Sequence, residues 1–98
     1  MVHVLVRHDV QDYNQWRAAF DDAFMMRRNA GEQSFRIYRN FEKLNEVTII
    51  SDFETSERAR KFIHSDELKK VMQAAGVAGA PEISYLHEAL SVRRTSAD

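Results

Sequence analysis

The sequence predicts an α+β fold, and three observations lead to this prediction. Residues 2–8 (VHVLVRH) carry valines at positions 2, 4 and 6, and this alternation is the period of a β-strand. The stretch that follows carries apolar residues at steps of three and four, which is the period of an amphipathic helix. Residues 34–41 and 46–53 are rich in β-branched and aromatic side chains and are separated by a short polar turn, which predicts an antiparallel hairpin.

The first helix has start and stop signals. Asp12 followed three residues later by Gln15 has the spacing of a capping box, and Gly31 is a typical left-handed helix end. We therefore expect one helix between these positions. Its apolar stripe is formed by Tyr13, Trp16, Phe20, Ala23 and Phe24.

A second helical segment begins at Thr55 or Ser56, and Ser65 restarts it as an N-cap. Gly76, Gly79 and Pro81 predict a loop after it, and residues 82–90 predict the last strand. The order is then that of a ferredoxin-like β-α-β-β-α-β unit, with an antiparallel sheet and both helices on one face. We expect a single domain over residues 1–90 and a polar tail over residues 91–98.

Composition narrows the class of protein. The 98 residues carry 14 basic and 15 acidic side chains, a net charge of −1, and this is not the basic excess of a nucleic-acid-binding protein. The longest apolar runs are far shorter than the ~18 residues that span a membrane. The chain has no cysteine, and its N-terminus passes directly into a strand without a secretory signal. We therefore expect a cytoplasmic protein that binds neither nucleic acid nor membrane.

The sheet face without helices is expected to be apolar. Strand residues that would point to water include Leu5, Ile50 and Leu86, so polar and apolar residues alternate poorly. Monomers rarely leave a large apolar patch in water. We therefore predict a homodimer in which two sheets pack face to face.

Residues 2–90 resemble the antibiotic biosynthesis monooxygenase-like group of the dimeric α/β-barrel superfamily. The resemblance lies in VHVLVRHDV, in an early helix with Trp and Phe, and in SDFETSERARKFIHSDELKK, which runs from the third strand into the second helical segment. It implies a homodimeric α/β barrel. The activity it best supports is that of a cofactor-independent monooxygenase acting on an aromatic or polyketide-like compound. The alternative is a non-catalytic homodimer that binds a small ligand or has a stress-related role.

Candidate site residues follow from the face of the first strand. If the valines lie under the helices, His3 and Arg7 point into the barrel. His3 could accept a proton from a phenol or enol, and Arg7 could stabilise the resulting anion. In the structural alternative, these side chains form a polar layer at the dimer contact. The predicted substrate contacts from other strands are Tyr38, Tyr85 and His87, although Leu86 and Glu88 could equally face inward.

Neither a cofactor nor a metal is expected. The Trp and His that carry activity in haem-degrading relatives fall at Phe62 and Met72 here, and the first strand has no Asn. His3 and His8 lie five positions apart in one strand, so they point to opposite faces and cannot share an ion.

Overall fold

The computed structural model of the chain describes residues 1–95, and the predicted ferredoxin-like fold is confirmed. One four-stranded sheet has the order β2-β3-β1-β4, and every neighbouring pair is antiparallel. Each of the two predicted helical segments is divided into two helices. The elements are β1 (Val2–Val10), α1 (Tyr13–Asp22), α2 (Phe24–Ala30), β2 (Glu32–Arg39), β3 (Glu46–Phe53), α3 (Ser56–Ile63), α4 (Asp66–Ala74) and β4 (Val77–Leu86).

Local capping explains where the helices begin and end. Asp12 accepts a hydrogen bond from the Asn14 amide at the start of α1, and Gly31 ends α2 with a φ of 112°. The prediction of a single first helix is wrong, because the helix stops at Asp22 and restarts at Phe24. Thr55 and Ser65 cap α3 and α4 with their side-chain oxygens, as the sequence indicated.

The last strand differs from its prediction. It begins at Val77 and ends at Leu86, so the predicted loop through Gly79 and Pro81 is part of the strand. The pairing explains the difference, because Val77 and Ala78 pair with the last two residues of β1. Gly79 takes a positive φ of 74° in the stretch where the register between the two strands shifts.

The register gives the sheet two distinct faces. On β1, Val4, Val6, His8 and Val10 are buried, and the helices pack on this side. We call it the covered face. Its core is completed by buried residues of the other elements, namely Trp16, Val47, Ile49, Phe53, Ala59, Phe62, Ile63, Leu68 and Ala75.

The opposite side, which we call the open face, presents His3, Leu5 and Arg7 of β1. Ile50 and Asp52 of β3 stand beside them, because Leu5 pairs with Ile50 and His3 with Asp52. The face is therefore more polar than the sequence suggested.

No helix within residues 1–95 is long and apolar enough to cross a membrane.

Candidate functional site

A cavity of about 60 Å³ lies between the helices and the covered face of the sheet. We call it the inner cavity. Its walls are mainly aliphatic, aromatic and thioether side chains from β1, β3 and all four helices. Such a space excludes water-soluble groups and favours an apolar molecule. The residues that line it include His8, Trp16, Phe20, Met26, Arg27 and Phe62.

His8 is the polar group of β1 that faces the inner cavity. The residue is only 5% exposed, and neither ring nitrogen has a hydrogen-bond partner within residues 1–95. Burial lowers the pKa of His8, and the nearby charge of Asp9 opposes this only in part. At neutral pH the imidazole is therefore uncharged, and one ring nitrogen keeps a lone pair that can accept a proton.

One wall of the inner cavity is a row of aromatic rings on α1. Trp16 and Phe20 stack with their ring centroids 5.1 Å apart and an interplanar angle of 25°. The edge of His8 meets Trp16 at a centroid distance of 5.8 Å. The row presents flat apolar surface beside a proton acceptor, an arrangement that suits a planar molecule with an acidic hydroxyl.

A buried ion pair lies at another part of the wall. Arg27 donates to the Glu32 carboxylate and, through Nη2, to the Phe20 carbonyl oxygen at 3.0 Å. Its guanidinium carbon lies 3.7 Å from the centre of the Phe20 ring, and Ser51 donates to the other Glu32 oxygen at 2.8 Å. Arg27 Nε is buried without an acceptor among the described residues. Arg27 and His8 both line the inner cavity, and each has a buried nitrogen without a partner among the described residues.

The open face holds a different cluster. Asp52, with a side chain 5% exposed, accepts hydrogen bonds from His3 Nδ1, Ser34 Oγ and, at 3.2 Å, Arg36 Nη1. Burial raises the pKa of Asp52, but the hydrogen bonds from Ser34, His3 and Arg36 outweigh it, so the net pKa is lowered. A charged Asp52 holds the proton of His3 on Nδ1 and leaves Nε2 free.

Arg7 and Tyr38 lie on the same open face as His3. Arg7 is half exposed and donates at 3.4 Å to Thr48 and to Glu82. Tyr38 pairs with Thr48 across the ladder and is 51% exposed. Among the described residues these side chains line a surface rather than an enclosed space.

Tyr85 and His87 do not join this cluster, contrary to the expectation that they line the same site. Tyr85 pairs with Val4, so its ring lies on the covered face, where the Arg60 guanidinium carbon is 4.5 Å from the ring centre. His87 follows the end of β4 and is exposed. The pairing of Tyr85 with the buried Val4 fixes which side chains of this part of β4 face the helices.

Three polar residues of these two faces are not apparent as site residues from the sequence. His8 continues the even-numbered alternation of the valines within the predicted strand, so its place on the covered face was already indicated. Arg27 has the positive charge typical of the last turn of a helix, and nothing in the local pattern shows its burial. Asp52 could be found only from the pairing of β1 with β3.

Comparison with known proteins supports the fold class. No protein-family model and no curated protein matches the chain. Solved structures do match over nearly the whole length. A protein from Bordetella bronchiseptica named as a candidate antibiotic biosynthesis monooxygenase gives a TM-score of 0.77 at 18% identity, with 91% of this chain and 97% of that chain covered.

Two further structures agree. A candidate antibiotic biosynthesis monooxygenase from Caulobacter crescentus CB15 gives a TM-score of 0.69 at 19% identity, with coverage of 87% and 86%. SnoaB, a cofactor-independent oxygenase from Streptomyces nogalater, gives 0.69 at 15% identity, with coverage of 99% and 97%. The chain therefore has the fold of the antibiotic biosynthesis monooxygenases, as its sequence resemblance predicted.

Proposed function

We propose that this protein is a cofactor-independent oxygenase that acts on a small aromatic compound bound in the inner cavity. The observation that carries the proposal is His8, an uncharged imidazole in an apolar, aromatic-lined space that has no hydrogen-bond partner in the described part of the chain. A buried polar group of this kind is costly to the fold, and native proteins keep such groups mainly where they are used. The shared fold with an oxygenase that needs no cofactor supports the same class of reaction.

The chemistry follows from the two unpaired groups. His8 accepts the proton of a phenol or enol, and the resulting anion is electron-rich enough to react with dioxygen directly. Oxidation of a ring CH₂ to a carbonyl balances with one O₂, because one oxygen atom is retained and the other leaves as water with the two hydrogens. The four electrons come from the substrate, so no external reductant is needed. The Arg27 Nε–H is a donor for the developing oxyanion.

The open face supports a second candidate site for the same class of reaction. Its proton acceptor is His3, oriented by Asp52, and its anion partner is Arg7, as the sequence predicted. This site requires a second copy of the chain to cover the face, so we propose a homodimer with sheets packed against each other. Light scattering tests it directly, because the expected particle has twice the 11.4 kDa mass of the chain.

One panel of variants distinguishes the two sites. The substrates are phenols, quinols and anthrones supplied with ¹⁸O₂, and the readouts are oxygen consumption and label in the product. The His8→Gln variant is expected to lose about 100-fold or more in kcat, the usual contribution of a general base. His64→Gln, which alters an exposed histidine, is the matched control.

The outcomes separate the hypotheses. Retained turnover in His8→Gln together with its loss in His3→Gln would move the reaction to the open face. Compounds that shift the Trp16 indole resonance but are never oxidised would favour the non-catalytic alternative, a small-ligand-binding homodimer.

A further inference from the structure

A second, larger space lies outside the inner cavity, between α2, α3 and the start of α4. Its volume is about 320 Å³, and we call it the outer cleft. Unlike the inner cavity, it is lined largely by polar and charged side chains. These include Asn29, Arg58, Lys61, Ser65 and Glu67.

Met26 and Phe62 line both spaces, so their side chains form the partition between them. Phe62 is 7% exposed and packs against Phe53 with ring centroids 5.7 Å apart. Met26 is less buried, and its side chain is unbranched with three rotatable bonds. Met26 is therefore the side of the partition that can move.

The volumes show why movement is needed. A cavity of roughly 150 Å³ is known to hold benzene, and the inner cavity is less than half of that size. An aromatic ring enters the inner cavity only when a wall residue withdraws. Rotation of Met26 towards the outer cleft enlarges the inner cavity and joins the two spaces at once.

Charge indicates what would occupy the outer part. Arg58 and Lys61 line the outer cleft without an ion-pair partner among residues 1–95, and Glu67 is the single acidic side chain opposite them. Gly31 helps to place Arg58, since the Arg58 Nε lies 3.0 Å from the position that a Cβ at residue 31 would occupy. The Ser65 hydroxyl is already engaged, because it donates to the Phe62 carbonyl and accepts from the Leu68 amide.

We propose that Met26 is a gate between the two spaces, and that the ligand is an aromatic molecule carrying an acidic group. The ring lies against Trp16 in the inner cavity, and the anionic group lies in the outer cleft with Arg58 and Lys61. This inference rests on the proposed function for the inner cavity but does not depend on turnover. It adds a specificity residue and the charge class of the substrate.

The test uses 1-naphthoate as the anionic probe and 1-naphthol as its neutral counterpart. Calorimetry gives the affinities, and the indole N–H resonance of Trp16, the single tryptophan, shows whether the ring reaches the inner cavity. The Arg58→Gln, Lys61→Gln double variant is expected to weaken 1-naphthoate about tenfold, which is the size of two partly exposed ion pairs, and to change 1-naphthol little. Lys69→Gln is the matched control, because Lys69 is exposed on α4 and does not line the outer cleft.

Two substitutions of Met26 with opposite expected effects on ligand entry test the gate. Met26→Ala is expected to tighten both probes and to increase the shift of the Trp16 resonance, whereas Met26→Phe is expected to abolish that shift. Met25→Ala, at an exposed neighbouring position, is expected to do neither. Circular dichroism establishes that each variant is folded.

Three results would overturn the inference. The first is that 1-naphthoate and 1-naphthol bind equally well and that the double variant leaves both affinities unchanged. The second is that the probes bind without shifting the Trp16 resonance. The third is that neither probe binds to any variant. A fully active His8→Gln enzyme, in contrast, would refute the proposed proton acceptor and leave the gate unaffected.

Discussion

The two faces of the sheet use one strand and one residue type in opposite ways. β1 points His8 to the covered face and His3 to the open face, because their sequence positions differ in parity. His8 is enclosed by apolar side chains and has no hydrogen-bond partner among residues 1–95, and burial lowers its pKa. His3 is partly exposed and bonds to a charged carboxylate.

The difference between the two histidines shows that the hydrogen bonding of an imidazole depends on which residue the strand register places opposite it. The partner of His3 comes from the adjacent position on β3, where Asp52 stands directly opposite. The position beside His8 on β3 is Val47, which offers no hydrogen-bonding side chain. The sheet therefore produces one oriented histidine and one unpaired histidine only a few residues apart.

The largest effect is expected at the buried ion pair of the covered face. Arg27→Met leaves Glu32 buried without its cation, and breaking a pair of this kind costs about 3–5 kcal/mol. For a domain of this size that is a large part of the total free energy of unfolding. Urea denaturation measures it.

The double variant Arg27→Met, Glu32→Gln is the control for that prediction, because it removes both charges. It is expected to recover much of the loss. A single-variant cost below about 1 kcal/mol would show that Glu32 is stabilised without Arg27, and the covered face would then tolerate an unpaired charge.

A smaller effect is expected at the carboxylate of the open face. Asp52→Asn replaces a charged acceptor of three hydrogen bonds and is expected to cost about 1–3 kcal/mol at pH 7. Because the folded pKa of Asp52 is lowered, its stabilisation is present above the unfolded value of about 3.9 and is lost as pH falls through the folded pKa.

The acid dependence provides the check on Asp52. Unfolding free energies from pH 7 to pH 3 should fall less steeply in Asp52→Asn than in the original protein. Arg7→Ala, which removes half-exposed contacts on the same face, is expected to change stability by less than about 1 kcal/mol. If both substitutions changed the free energy of unfolding equally, the Asp52 cluster would stabilise the fold no more than the exposed contacts of Arg7 do.

The smallest effect on stability is expected at His8. There the sign of the change in the free energy of unfolding indicates whether the imidazole is unpaired. His8→Leu removes an unpaired polar group from an apolar space, so its stability at pH 7.5 should lie within about 1 kcal/mol of the original or above it. The lowered pKa of His8 means that the original protein loses stability as pH falls below about 6.5, since the unfolded state then binds more protons.

Urea denaturation at pH 7.5 and pH 5.5 tests this sign. The advantage of His8→Leu over the original protein should grow at the lower pH, because the leucine cannot be protonated. A gap that stays constant between the two pH values would indicate that His8 has a partner in solution.

The sequence predicted the order of the elements and the faces of β1 because both depend on local periodicity. The valines at residues 2, 4 and 6 were sufficient to place His3 and Arg7 on the open face. The end of β1 depends on pairing with Val77 and Ala78, and this contact is distant in the chain. His8 lies within the predicted strand, but its enclosure depends on helix residues such as Trp16 that only the fold brings against it, so it was not recognised as a site residue.

The remaining differences also come from tertiary contacts. Gly79 and Pro81 have the composition of a loop, yet the strand includes them because its neighbour supplies hydrogen-bonding partners on either side. Asp52 and Ser34 approach each other only through the pairing of β2 with β3. Site clusters built across strands are therefore less predictable than the strands themselves.

The irregular pairing of β4 has a consequence for how this chain can diverge. Eight consecutive pairs join β1 to β3 without interruption, whereas the β1–β4 register shifts between Arg7 and Asp9. Insertions or deletions near Gly79 can therefore be absorbed at the edge of the sheet without rotating either histidine. Loss of one residue early in β1 would exchange its two faces, so that His3 would face the helices and His8 the open side. Length variation among descendants should therefore concentrate in β4.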